Sequence, residues 1–238
     1  MLLLSFRPSH NTITRTIKMT LTALFIIFSI ALSSCTSTLV SCEMVPLSAS
    51  VIIAIAPDSA SCNAAPFPSE CASATEAAPW IDLSFYCFGI DAFGTQAALL
   101  SLVLYESGSF KYDINHFPGV PGQGTRNMQS PAFNLKYAQW IAANASHSDI
   151  TTQQVQEAQD KGPVAVLALL NSDRWSFASA AWFLVTQCDG AIQKGLEAST
   201  EEGWNAYLTL CVGTTVTEDR TSIWRKAILA VSGRSVLK

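Results

Sequence analysis

Glu106 is where a chemical reading of this chain begins. It closes the run AALLSLVLYE, Ala97 to Glu106, and Ser107 and Gly108 follow it. Ala97 to Tyr105 is almost wholly apolar and has no helix breaker, which predicts a buried helix with hardly any polar face. Gly108 is a helix stop. The next segment, Phe110 to Gln129, is polar, aromatic and glycine-rich, and Pro118, Gly119, Pro121, Gly122 and Gly124 forbid a helix there. A carboxyl between a buried helix and an irregular loop loses hydration on one side. Its protonated form is then favoured, which suits general-acid work. The competing reading is a solvated residue at a helix end.

The loop offers partners for such an acid. Asp113 stands seven residues on and could hold a water as a base; it also reads as a turn residue before Ile114-Asn115. Gln129 carries an amide that both donates and accepts. Tyr112, His116 and Phe117 could stack on flat ligand faces or serve the core. Arg126 could clamp a carboxylate or tie the loop together by hydrogen bonds.

Glu106-Ser107-Gly108, with Gly122-Gln123-Gly124-Thr125-Arg126-Asn127-Met128-Gln129, resembles the lysozyme-like superfamily of lytic transglycosylases and goose-type lysozymes. The segments YESGSFKYDINHFPG and PGQGTRNMQSP look like those of uncharacterised fungal secreted proteins with a lysozyme-like domain. Thr125-Arg126-Asn127 departs from that superfamily's short Gly-Leu-Met-Gln form. The resemblance implies a groove lined by Ser107, Thr125, Met128 and Gln129, beside Tyr112 and His116. It implies Glu106 as general acid/base on a β-1,4-linked amino-sugar polymer, peptidoglycan or chitin-like. Tyr207, in WNAYL, falls roughly where transglycosylases carry a tyrosine that touches the acid. The alternatives are a non-catalytic secreted glycan-binding protein that keeps the groove, and a surface protein whose Gly/Pro loop meets a protein partner.

Composition sets outer limits. The chain has 238 residues, 49% hydrophobic and 13% charged, which allows one full core and argues against disorder. Its net charge is −4. An acidic chain is a poor candidate for nucleic acid and is not drawn to anionic walls, which leaves neutral glycans open; the resemblance implies a polysaccharide or oligosaccharide partner. Arg15 and Lys18 precede the apolar run Thr20 to Leu32, and small residues follow. That pattern predicts a signal peptide over 1–35, a secreted product and no stable membrane insertion after its removal. Residues 36–61 are rich in Ser, Ala and Thr and read as a propeptide or linker, leaving 62–238 as the domain.

Seven cysteines in a secreted chain should oxidise where they can. Cys62 and Cys71 flank a short loop. Cys188 and Cys211 continue the apolar faces Phe177-Ala180-Ala181-Leu184 and Trp204-Tyr207-Leu208, so they could staple two helices. Cys87, in LSFYCFGI, reads as a buried free thiol. No CxxC pair or spaced His supports a metal, and no phosphate-loop, dinucleotide or GxSxG pattern is present, so neither cofactor nor metal is expected. Asn144-Ala145-Ser146 is a glycosylation sequon.

Helices are predicted over 77–88, 94–106, a segment after Pro131, 151–160, 163–170, 174–188, 191–198, 201–211 and 217–231. The fold class that follows is mainly α, a helical bundle around a buried central helix. A small irregular or β-hairpin lobe should complete an α+β lysozyme-like groove.

Overall fold

The computed structural model describes residues 46–145 and 148–235. The expected signal peptide and the first part of the expected linker lie outside the described residues. Ten α-helices are present among those described, in the order α1 Ala49–Ile55, α2 Ala74–Phe88, α3 Phe93–Glu106, α4 Pro131–Asn144, α5 Thr152–Lys161, α6 Pro163–Leu170, α7 Asp173–Gln187, α8 Gly190–Glu197, α9 Glu201–Ala206 and α10 Glu218–Ser232.

The protein is mainly helical, and local chemistry explains the boundaries. Helix α2 begins in a capping box. The Ser73 hydroxyl accepts from the Glu76 amide, and the Glu76 carboxylate accepts from the Ser73 amide at 2.8 Å. It ends at Gly89, whose φ of 64° is one that few other residues adopt. Helix α4 starts with Pro131 at its first position, where a missing N–H costs nothing. A π-helical turn, Tyr207–Val212, carries α9 on to Gly213.

Helix α3 is buried from Gly94 through Leu104, so it has no solvent face to keep polar. It packs against α10, α8 and α7. Around it runs the main core, which includes Ile52, Ile55, Phe177, Trp204, Tyr207, Leu208 and Trp224. A second core joins α4, α5, α6 and α7 through Tyr137, Ile141, Val155, Leu170, Trp175 and Trp182. Helix α7 serves both. Phe177, Ala180, Ala181 and Leu184 face the main core, while Trp175, Trp182 and Phe183 face the second.

Three expectations need correction. Ser48 to Ala60 is not a bare linker: α1 buries Ile52 and Ile55 completely in the main core, and a 3-10 turn follows at Pro57–Ala60. The loop forms no hairpin. Among the described residues it makes two isolated antiparallel bridges, Ile114–Gly124 and Gly124–Gln129, and no strand. Positive φ at Gly119, Gly122, Thr125 and Met128 turns the chain too often for a ladder to extend. Cys87 is free, as expected, but exposed. The disulfides Cys62–Cys71 and Cys188–Cys211 are both formed.

Candidate functional site

The end of α3 and the loop after it enclose a cleft of about 280 Å3. Its walls include Tyr105, Glu106, Gly108, Tyr112, Asn115, His116, Gln123 and Met128. Gly108 has φ of 57°, and a Cβ there would press on the Tyr112 ring at 3.2 Å, so glycine keeps this wall open.

Glu106 does not stand in an apolar surround. Helix α10 packs along α3 and brings Arg220, in its own first turn, to the carboxylate. Arg220 Nη1 donates to Glu106 Oε1, and its guanidinium stacks 4.2 Å from the Tyr105 ring centre. The Glu106 carboxylate therefore accepts a charge-assisted hydrogen bond from a neighbouring helix.

His116 brings a second pair to the same cleft. Its Nε2 is 2.8 Å from Glu70 Oε1, and its ring stacks on Phe67 at 3.7 Å between centroids, with planes 2° apart. With Nε2 donating to the carboxylate, the ring is held in one orientation. Glu70 also accepts from the Asp113 amide at 3.3 Å. Asn115 and Gln123 bond each other at 2.9 Å across the loop.

The remaining expected site residues divide clearly. Tyr112, His116 and Met128 line the cleft with Glu106. Ser107, Asp113, Thr125, Gln129 and Tyr207 are not among its walls. Ser107 is buried, bonds the Val103 carbonyl and accepts from the Phe110 amide, so it caps α3. Thr125 is turned inward and donates to Asn127 Oδ1 at 2.8 Å. Gln129 is buried and donates to Asn134 Oδ1 at 3.0 Å. The Tyr207 hydroxyl is fully buried without a hydrogen-bond partner, and burial, reinforced by the charge of Glu106, pushes its pKa up.

Asp113 lies under the loop, 5% exposed. Burial pushes its carboxyl up to about 6; Glu70 and Asp173 add to the rise, while Arg126 and His116 oppose it. Arg126 is buried beside it, donates to the Phe110 carbonyl at 3.0 Å and pairs with Asp173 at 3.3 Å. Burial lowers the pKa of this arginine, against the pull of Asp113 and Asp173. The cluster fastens the loop from below, and the loop in turn shapes the cleft.

Nothing in the local sequence marks Glu70 or Arg220 as site residues. Glu70 sits in PSEC, and Arg220 in the capped start TEDR, which reads only as a helix N-terminus. Their places come from chain folding over 46 and 114 residues. Among the described residues, no group of three or more His, Cys, Asp or Glu side chains is placed to hold a metal ion. No described helix is long and apolar enough to cross a membrane.

The fold and cleft define a disulfide-braced helical domain with paired acid–base side chains at the end of a buried helix. This chain is similar to a bifunctional dioxygenase (DOX)–epoxy alcohol synthase (EAS) of Fusarium oxysporum (strain Fo5176), with 37% identity over 153 residues. The match covers 64% of this chain and 12% of that relative's length. No family model matches the chain. No solved structure matches it either.

These findings overturn the resemblance to the lysozyme-like superfamily. The relative is named for oxygenation and epoxy alcohol synthesis, and no family or structural neighbour supports a lysozyme-like assignment. With it go the expected glycosidase or transglycosylase activity, the alternative glycan-binding role and the polysaccharide or oligosaccharide partner. In the short loop signature that carried the resemblance, Thr125, Arg126 and Gln129 turn inward and donate to groups of the protein itself.

Proposed function

We propose that this chain is a secreted helical domain whose Glu106 cleft binds a small oxygenated molecule of the epoxy alcohol class and opens its epoxide with water. The observation that carries this reading is the meeting of Glu106, His116 and Tyr112 in one cleft, with Arg220 bonded to Glu106 and Glu70 bonded to His116. The name of the Fusarium relative supplies the substrate class. The two disulfides support an oxidising, extracellular setting.

The step needs no oxidant. Glu106 takes a proton from water, the water oxygen bonds to an epoxide carbon, and the ring carbon–oxygen bond breaks. The released oxygen takes a proton from Tyr112, the phenolate regains one from Glu106, and the sum is substrate plus one water. Arg220 holds the Glu106 carboxylate in place. Glu70 fixes the imidazole of His116.

The test uses 2,3-epoxy alcohols in 18O-labelled water, with products read by mass spectrometry beside Glu106→Gln. Addition of one labelled water is expected with the natural chain and is lost in the variant, while the variant keeps its melting temperature. A natural chain that adds no water to any member of the series overturns the hydrolytic step. Saturable binding without turnover would leave an accessory binding domain, a reading favoured by the small share of the relative that the chain spans.

A further inference from the structure

A second cleft, also of about 280 Å3, opens between α2, α4 and α7 and shares no wall residue with the Glu106 cleft. Helix α2 gives it one face at helical spacing, Trp80, Leu83, Cys87 and Phe88; α4 adds Trp140 and α7 adds Trp175. Phe88 and Trp140 meet at 5.4 Å between centroids. Leu83 and Cys87 are exposed, and Trp80, Phe88 and Trp140 are half-buried, so these apolar faces stay partly in water. Asn144 stands in the same wall, one turn beyond Trp140 on α4. It is exposed and ends the helix, and Ala145 after it is extended at φ −82° and ψ 108°. Its Nδ2 donates to the Trp140 carbonyl at 2.9 Å. Asn144-Ala145-Ser146 is a glycosylation sequon, so an acceptor for N-linked sugar stands in the exposed rim of an aromatic cleft.

We propose that Asn144 carries an N-linked glycan whose first N-acetylglucosamine closes this cleft by stacking on its aromatic wall. The donor is a lipid-linked oligosaccharide diphosphate of the secretory pathway. One N–H bond of Nδ2 breaks and the nitrogen bonds to C1 of the sugar. The bond from C1 to the diphosphate oxygen breaks, and the diphosphate leaves with the proton. The amide keeps its second hydrogen for the Trp140 carbonyl. A β-linked pyranose ring presents a face of C–H groups, which packs on an indole or phenyl ring while its hydroxyls stay in water. A free sugar gains little from one such contact. A sugar tethered in the wall has an effective concentration on the order of millimolar, so a weak contact is enough to hold it. The proposal rests on secretion of the chain and not on the chemistry of Glu106.

Cys87 reports on closure, because its free, exposed thiol stands in the wall. The full chain is expressed in a yeast secretory host and recovered from the medium. Peptide mass spectrometry after peptide N-glycosidase in 18O-labelled water should find Asn144 converted to labelled aspartate. Iodoacetamide is then applied to the folded glycoprotein and to Ser146→Ala, which breaks the sequon and changes no wall residue. Cys87 should react about three- to tenfold more slowly in the glycoprotein, the ratio that one aromatic stacking contact supplies. Trimming to a single N-acetylglucosamine with an endoglycosidase should keep the slow rate, since the first sugar makes the contact. A secreted chain without sugar at Asn144 overturns this proposal alone, whereas a chain retained in the cell overturns the secreted reading with it. Equal Cys87 rates with and without the glycan overturn the closure. Peptide N-glycosidase treatment of the folded natural chain gives the bare form even if the variant fails to fold.

Discussion

Asp113 is a buried carboxyl facing Arg126, Glu70, Asp173 and His116. Its pKa is about 6 in the folded protein against an ordinary value of 3.8. The folded state thus binds this proton more tightly than the unfolded chain does. By linkage, its contribution favours folding at low pH, falls as pH rises from about 4 to about 6, and is flat above that. A difference of about two pKa units corresponds to about 3 kcal/mol. Asp113→Asn, which keeps the shape but cannot ionise, should remove that loss and raise stability at pH 7 by about 1–3 kcal/mol relative to the natural chain. Urea midpoints of both proteins between pH 4 and 8 check this. Parallel profiles would show that the group titrates normally. The same residue shows how far single positions were legible. The spacing to Glu106 makes Asp113 a candidate base, yet spacing carries no information on burial. Tyr112 and His116 reach the cleft because they stand in the loop next to α3. Gln129 and Tyr207 do not, because their side chains turn to the core.

At the scale of elements, the helices were legible and their joints were not. The central helix was expected from 94 and runs from Phe93 to Glu106, because an unbroken apolar run ending at Ser-Gly has few other folds open to it. Helix α1 has no clear signature in the sequence, since SVIIAI is short, lacks a cap bond and sits among Ser and Ala. The loop's fastening depends on close approach, which pattern does not reveal. Gly124 pairs with both Ile114 and Gln129, and a Cβ there would meet the Asp113 carbonyl at 2.4 Å and a Leu167 methyl at 2.7 Å. Backbone cannot yield as a side-chain tip can, so Gly124→Ala should cost about 1–3 kcal/mol. Gly190→Ala is the matched control: nothing stands within 4 Å of its Cβ, and in a helix alanine should be neutral or stabilising by about 0.5–1 kcal/mol. Equal stabilities of the two variants in urea would remove the steric account of the loop.

Over the whole molecule, the two disulfides divide the work between stability and site. Cys188–Cys211 spans 23 residues and ties the end of α7 to the π-helical turn beside α9, joining residues packed against both cores. Cys62–Cys71 spans only 9 and stands next to Glu70, the residue that orients His116 and accepts from Asp113. The same segment is held from the other side: Lys111 Nζ donates to the Asp58 carbonyl at 2.7 Å, and the Ala72 amide donates to the Phe110 carbonyl at 3.1 Å. Loop closure alone assigns about 3 kcal/mol to each bond, slightly more to the longer loop. The difference between them should therefore appear in what is lost besides stability. Replacing Cys188 and Cys211 together by alanine should lower stability by about 2–4 kcal/mol and leave ligand affinity of the folded fraction at the Glu106 cleft near its natural value. Replacing Cys62 and Cys71 should cost less in urea but weaken that binding, because Glu70 then loses the brace that keeps it against His116. Calorimetric titration of the epoxy alcohol beside urea unfolding of both double variants separates the two. The opposite ranking would place the brace of the cleft in the α7–α9 staple, and would remove Glu70 from the chemistry assigned to it.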